Sequence, residues 1–568
     1  MLSIFYFHII ITAVCSLAGL LFYQVILKDK NAENKPLIFY PITGLIFITL
    51  INQLAVLFIP ITKYFSFCFL VILFLLAIIK RNRVLFFYKN TVILFKKLPV
   101  IALLLIGILW LMILVLSAGP TMMDDTESYH IQMIKWITGY GTVPGIVNLH
   151  NRFGFNSSWF TTISFFLPGA GRLNFYTMLN GVISLWLCSF FIGQIYPLLN
   201  LKNNKPVSAI DISVCLLLLL SLFCWPMIRG NAATANYDFI TTVLILVLFI
   251  KTLQEGNKIT TNKFTAEWII WPVYLFTIRI INFPLLLLSI YGLYSLLKDK
   301  EWKRIGIFFI VSICLIGCFV ARNVLLAGYP FYPATTLNIF KVDWKADSNM
   351  IRELLDYIKY YNRVNVMYMD VSSTKQLSLT EWPIEWFRYL FTYDKPVVIT
   401  GILGFLINFS FRKSFFKNFN PLSRFFLLVL SFQFISWFWI APDPRFVYGG
   451  LLCGIMILLI FFLKNKNYDI KHTSSGYFFI IVFACVFFYT ILKLGKDKNY
   501  QNFLLPYRLP QPPTKEIIID NISLKIPEKI LNNWNPRCYA TDVPCLYIIN
   551  PKLRARGNTI QNGFRLEK

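Results

Sequence analysis

Residues 99–130 read PVIALLLIGILWLMILVLSAGPTMMDDTESYH. The first twenty carry no charge, and about 20 apolar residues in helical rise cover the hydrocarbon core of a bilayer. The run ends in Gly119-Pro120 and passes directly into Asp124, Asp125 and Glu127. A membrane span delivering carboxylates to the membrane surface is the pattern from which the rest of the chain can be read. Over the whole 568 residues, 57% are hydrophobic and 14% charged, against about 25% charged in soluble domains. The composition predicts an all-α polytopic membrane protein.

Fourteen apolar runs qualify as spans, near 4–27, 37–59, 64–79, 99–117, 174–197, 208–226, 237–253, 266–278, 282–298, 304–321, 394–411, 424–440, 446–463 and 476–493. The first has no basic leader and no small-residue cleavage site, so it reads as a permanent anchor. The pair 266–278 and 282–298 could instead be one long tilted helix. Charge separates the alternatives. When fourteen spans alternate, twenty-five Lys and Arg in short loops, among them Lys28, Lys80, Arg81, Arg83, Lys202, Lys258, Lys298, Arg412 and Lys466, fall on one face with six acids. By the positive-inside rule that face is cytoplasmic. A formal charge of +27 is thus a topology signal, and no nucleic-acid partner is expected.

Both termini and the segments 118–173, 322–393 and 494–568 are then exoplasmic, in an integral multi-pass protein of a bacterial cytoplasmic (inner) membrane. The tail alternates over Glu516–Ile526 as a strand does, so a small, partly β exoplasmic segment is expected. Nine of the eleven cysteines lie in apolar runs; Cys538 and Cys545 lie in polar sequence, and an oxidising compartment would join them. No Cys-x-x-Cys or His/Cys cluster suggests a structural zinc site.

The loop after the fourth span gathers Asp124, Asp125, Glu127, His130, His150 and Arg152 in otherwise apolar and aromatic sequence. Asp124 could simply cap a helix from Asp125 to about Tyr140, with Glu127 completing a capping box. A cap needs one acid, however, and three are present. Ionisable groups held against a membrane are functional candidates. Glycosyl transfer from a lipid-linked donor suits the placement: a carboxylate serves as general base on an acceptor hydroxyl, and the leaving group is a lipid phosphate in the same leaflet. That phosphate requires a cation, and the planar guanidinium fork matches its oxygens. Arg229, Arg279, Arg322 and Arg445 sit at the ends of exoplasmic-facing spans. Each could be a snorkelling anchor. Arg445 stands out because its loop is short and Asp443 could orient it, or merely pair with it. Asp238, near Arg229, could join the site, whereas Asp211 reads as a helix N-terminal charge. Trp344, Trp382, Trp386 and Tyr389 could stack on a sugar or form an interfacial belt.

An acidic pair just after a span, an aromatic and basic helix following it, many spans and an exoplasmic C-terminal part resemble the GT-C glycosyltransferases, such as protein O-mannosyltransferases and aminoarabinose transferases. The segments Asp125–His130 and Gly141–His150 resemble a group of bacterial multi-pass envelope proteins. The resemblance implies Asp124 or Asp125 as general base, with Glu127, His130, His150, Arg152, Arg229, Arg322, Asp443 and Arg445 around the substrates. It also implies a polyprenyl-phosphate sugar donor and an exoplasmic glycan, lipid or protein acceptor. Some members use a divalent cation, for which Asp124, Asp125 and His130 could be ligands. In that superfamily the acids usually follow the first span, so residues 1–98 would be a three-helix addition to a core over 99–493, with 494–568 as tail domain. Two rivals remain: a lipid-linked saccharide transporter or flippase, and an envelope polysaccharide polymerase or ligase.

Overall fold

In hydrocarbon every backbone polar group must be satisfied within the chain, which leaves helices as the solution for runs of Leu, Ile and Phe. The computed structural model describes residues 2–29, 31–167, 175–199, 208–254, 265–410, 421–465, 472–496, 506–528 and 537–567. It is mostly helical. Among these residues eight helices are long and apolar enough to cross a membrane, or nine if the bent pair Lys63–Ile79 and Arg81–Lys97 counts as one span. The protein is therefore an integral, multi-pass membrane protein in architecture.

The other six of the fourteen expected spans are also helices. Ala209–Phe223 and Thr265–Ile278 are short, Asp394–Ser410 has 17 residues, and Leu179–Leu199, His472–Lys496 and Lys63–Ile79 complete the set. Residues 265–298 fold back on themselves. Thr265–Ile278 ends at Arg279, and the helical stretch Ile280–Lys298 returns beside it, the Ser289 hydroxyl donating to the Ile269 carbonyl at 2.7 Å. Many of the loop charges that set the expected orientation, Lys202, Lys205, Lys258, Lys263, Arg412, Lys413, Lys417, Lys466 and Lys471 among them, lie outside the described residues.

The N-terminal helices pack into the core. Leu2–Leu21, continued by a π-helical turn to Ile26, crosses Phe39–Val56 so closely at Gly19 and Gly44 that a Cβ on either would strike the partner's backbone. Lys35 and Asp29, which read from sequence as solvated loop charges, are fully buried. The Lys35 ammonium lies 2.9 Å from Asp29 and 3.1 Å from Glu267 of the helix Thr265–Ile278, and the Tyr23 hydroxyl donates to Glu267 at 2.5 Å. An unpaired charge here would be costly, so the triad ties residues 1–56 to the core.

The tail forms two antiparallel hairpins, β1 (Thr514–Ile519) with β2 (Ile522–Pro527), and β3 (Leu553–Ala555) with β4 (Phe564–Leu566). The run Glu516–Ile526, which alternates as a strand would, is β as expected but is split into the two strands of the first hairpin by a turn at Asp520 and Asn521, both with positive φ, as a tight hairpin turn requires. Cys538 and Cys545 form the expected disulfide. The tail docks on the loop after helix Val100–Ala118. The Gln132 amide donates to the carbonyls of Tyr539 and Thr541 at 2.9 and 2.8 Å, and the Phe564 amide to Pro144 at 2.9 Å. Gly145 takes a left-handed conformation beside Phe564, where a side chain would not fit.

Candidate functional site

Gly119 and Pro120 stop the helix Val100–Ala118, and the chain re-enters helix through a π-helical turn, Thr126–His130, that leads into Ile131–Gly139. The turn buries Ser128, Tyr129 and His130 and leaves Asp125 partly open, its side chain 26% exposed. Asp125 makes no capping hydrogen bond. The acids of this loop are ion-pair partners instead.

Asp125 meets residues remote in sequence. One carboxylate oxygen lies 3.2 Å from Arg445 and the other 3.4 Å from Arg152. Arg445 also lies 2.8 Å from Asp443 and 3.8 Å from Asp238, and Asp238 pairs with Arg279. Three carboxylates thus alternate with three guanidinium groups. Four of the six come from helix ends, Asp238 opening Tyr237–Gln254, Arg279 following Thr265–Ile278, and Asp443 and Arg445 lying between Pro421–Ile440 and Tyr448–Asn465, while Asp125 and Arg152 come from the loop after Val100–Ala118. Aromatic faces confine the cations. The Arg279 guanidinium lies 3.3 Å from the centroid of Phe446, and Arg152 lies 5.6 Å from that of Tyr129, the distances of cation–π contact.

Burial alone would raise the Asp125 pKa, but the charges of Arg445, Arg152 and Arg279 hold the carboxyl down at about 2. His130 is buried among Tyr129, Phe160 and Tyr237, and burial pushes its pKa down to about 3. It is a neutral imidazole, and neither ring nitrogen has a hydrogen-bond partner among the described residues.

Asp124 turns the other way. Its side chain is 67% exposed and pairs with Arg537 of the tail, which also lies 3.9 Å from Glu127. Burial raises the Glu127 pKa. His150 accepts from the Arg152 amide at 3.2 Å and touches the Tyr547 hydroxyl; burial and Arg152 push its pKa down to about 3. Arg537 and Tyr547, absent from the expected set, flank the disulfide loop. Cys538 was the only signal in the sequence close enough to have flagged Arg537.

Two expected ligands stay apart. Arg322 is buried in the helix Trp302–Ala327 and donates to the Asn156 side chain at 2.5 Å. Arg229 donates to the Phe223 carbonyl at 3.2 Å and stacks near Trp225 and Tyr489. Among the described residues no three His, Cys, Asp or Glu side chains are gathered to hold a metal ion: Asp124 pairs with Arg537, Asp125 with Arg445 and Arg152, and His130 is buried among aromatic rings. Trp382 and Trp386 are buried against Trp437 and Phe438, with the Trp386 indole donating to the Pro442 carbonyl at 2.7 Å. They brace the Asp443 loop from behind. Asp211 completes a capping box with Ser208, as its position predicts.

A family model described as a domain of unknown function (DUF8201) matches residues 1–452. No curated protein and no solved structure matches the chain. The matched segment contains all six members of the Asp125 cluster and ends before the tail that supplies Arg537 and Tyr547.

Proposed function

The chain belongs to the DUF8201 family, and we propose that it is a GT-C-type glycosyltransferase. It moves a sugar from a polyprenyl-phosphate carrier to an acceptor on the exoplasmic side of a bacterial cytoplasmic membrane. The observation that carries this reading is the pairing of Asp125 with Arg445 and Arg152 at one end of the membrane helices. Residues 27 to 320 positions apart meet there, and hydrophobic packing alone would not require any of them.

The acceptor oxygen forms a bond to the sugar C1 as the bond from C1 to the phosphate oxygen breaks. Asp125 takes the acceptor proton, and the lipid phosphate leaves with the electron pair. Inversion at C1 follows from a single displacement. Arg445, Arg279 and Arg152 receive the phosphate, each with a fork suited to two oxygens.

With no donor bound, a carboxyl held at about 2 is a feeble base. A phosphate that takes over Arg445 relieves Asp125 of its main counter-ion and raises its basicity when the donor is in place. His130, neutral and unpartnered beside Asp125, supplies a nitrogen for a sugar or acceptor hydroxyl. Asp124 belongs to the tail contact.

The test is genetic and chemical together. A deletion strain of the source organism should accumulate a sugar-charged polyprenyl phosphate in its lipid extract and lose the matching envelope sugar. The wild-type gene should reverse both changes, and Asp125→Asn should reverse neither, with a loss of about 100-fold or more in transfer despite normal membrane insertion. Full complementation by an Asp124→Asn, Asp125→Asn double variant would end this reading. A transporter or a polymerase would not depend on these two acids.

A further inference from the structure

Helix Arg81–Lys97 has no counterpart among the expected spans. It leaves Lys63–Ile79 at a bend of 91°. Both of its neighbours reach the face that carries the site: just before Lys63–Ile79, the Ile61 amide donates to the Ile137 carbonyl at 3.1 Å, and at the end of Val100–Ala118 the Ala118 carbonyl accepts from Tyr507 at 2.9 Å. The two helices rise about 25 Å and 28 Å, so the helix joining their other ends lies at the opposite membrane face and, by the bend, in its plane. Phe87 alone is buried, packed on Tyr40 with ring centroids 4.5 Å apart. Tyr40 in turn accepts from the Lys35 amide at 3.2 Å.

The remaining side chains divide between two chemistries. Leu85, Val92, Ile93, Leu94 and Phe95 are exposed apolar groups, Leu85 by 65%, which a solvated helix would not present. Arg81, Arg83, Lys89, Lys96 and Lys97 are the charged residues of the helix, and it has no acid. The helix dipole accounts for Lys96 and Lys97 in the last turn. It disfavours Arg81 and Arg83 in the first turn, and Glu33, 3.9 Å from Arg83, offsets one charge. The cations are interspersed with these apolar groups, Leu85, Lys89 and Ile93 sharing one strip and Val92 and Lys96 another, so in the membrane plane the long Arg and Lys stems reach past apolar neighbours to carry their charges to an anionic lipid surface.

We propose that Arg81–Lys97 is an interfacial helix that binds anionic phospholipid headgroups on the face opposite the Asp125 cluster. Its apolar side chains enter the acyl boundary and its five cations hold lipid phosphates. The proposal is independent of the transferase reading.

Purified full-length protein, reconstituted in phosphatidylcholine mixed with phosphatidylglycerol and transferred to the gas phase, should retain phosphatidylglycerol selectively by native mass spectrometry. Replacing Arg81, Arg83, Lys89, Lys96 and Lys97 together by Gln should lower that retention tenfold or more, since each cation at an anionic surface is worth about fivefold. A control variant with Lys515, Lys552 and Arg565 of the tail replaced by Gln should retain lipid as the wild type does. Equal retention by wild type and the five-Gln variant, or an equal fall in both variants, overturns the proposal. Should the five-Gln variant fail to fold, wild-type retention that is indifferent to lipid charge and to added salt overturns it as well.

Discussion

Asparagine at position 125 removes the charge between Arg445 and Arg152 while keeping the side-chain shape. The ionised carboxylate is stabilised by those guanidinium groups at 3.2 and 3.4 Å, enough to bring its pKa from 3.8 to about 2 despite burial. A pKa unit is worth about 1.4 kcal/mol, so just under two units correspond to about 2 kcal/mol. The folded pKa lies below the unfolded one. The stabilisation is therefore complete above about pH 5 and disappears as pH falls through 4 towards 2. Asp125→Asn should cost about 2 kcal/mol at pH 7, and the gap from wild type should close near pH 2. Reversible unfolding in mixed micelles against dodecyl sulfate mole fraction, repeated at pH 7, 5 and 3, measures the gap directly. A variant as stable as wild type at pH 7, or a gap of constant size across the series, would refute the electrostatic account of the cluster.

Two further outcomes follow from buried charge and from the tail. Lys35→Met leaves Asp29 and Glu267 without their cation and should cost about 3–5 kcal/mol in the same titration, whereas a Lys35→Met, Asp29→Asn, Glu267→Gln triple variant should recover most of it. Cys538→Ser with Cys545→Ser should cost the tail about 2 kcal/mol and release Arg537, seen as faster cleavage of residues 537–547 by added protease with the membrane helices intact.

Apolar run length is enough to place the long membrane helices, because in a bilayer a helix satisfies its own backbone, though eight, or up to nine, rather than fourteen are long and apolar enough to cross among the described residues. Run length does not show which charges the fold buries. Lys35 and Asp29 count as loop residues on any hydropathy scale, yet both are buried, with Lys35 paired to Asp29 and to Glu267, more than 200 positions away. The break at Arg279 was ambiguous in sequence, since 266–278 and 282–298 join into a continuous apolar stretch. Only its pairing with Asp238 explains why an arginine interrupts it. The helix Arg81–Lys97 is not legible from run length, because its five cations mark the segment as a basic loop between spans.

At the site, the residue types were legible and the partnerships were not. Adjacent helical residues point about 100° apart, so Asp124 and Asp125 cannot share one environment, and nothing local says which of them faces the membrane helices. The structure gives Asp125 three arginines within electrostatic reach and Asp124 the tail. That division coincides with the extent of the family match. The six alternating charges lie within residues 1–452, and Arg537 and Tyr547 lie beyond them. On the proposed reading, a cluster of three acids and three arginines can admit a phosphate where its carboxylates are open to solvent, at Asp125 and Asp443, whereas Asp238 is buried and needs Arg279 as its counter-ion. A contact supplied by a separate tail can then change its choice of acceptor without altering that exchange. On this argument Arg537→Ala should shift acceptor use while the Asp125–Arg445 pair keeps its pH-dependent stability, and loss of both together would show that tail and cluster are one unit.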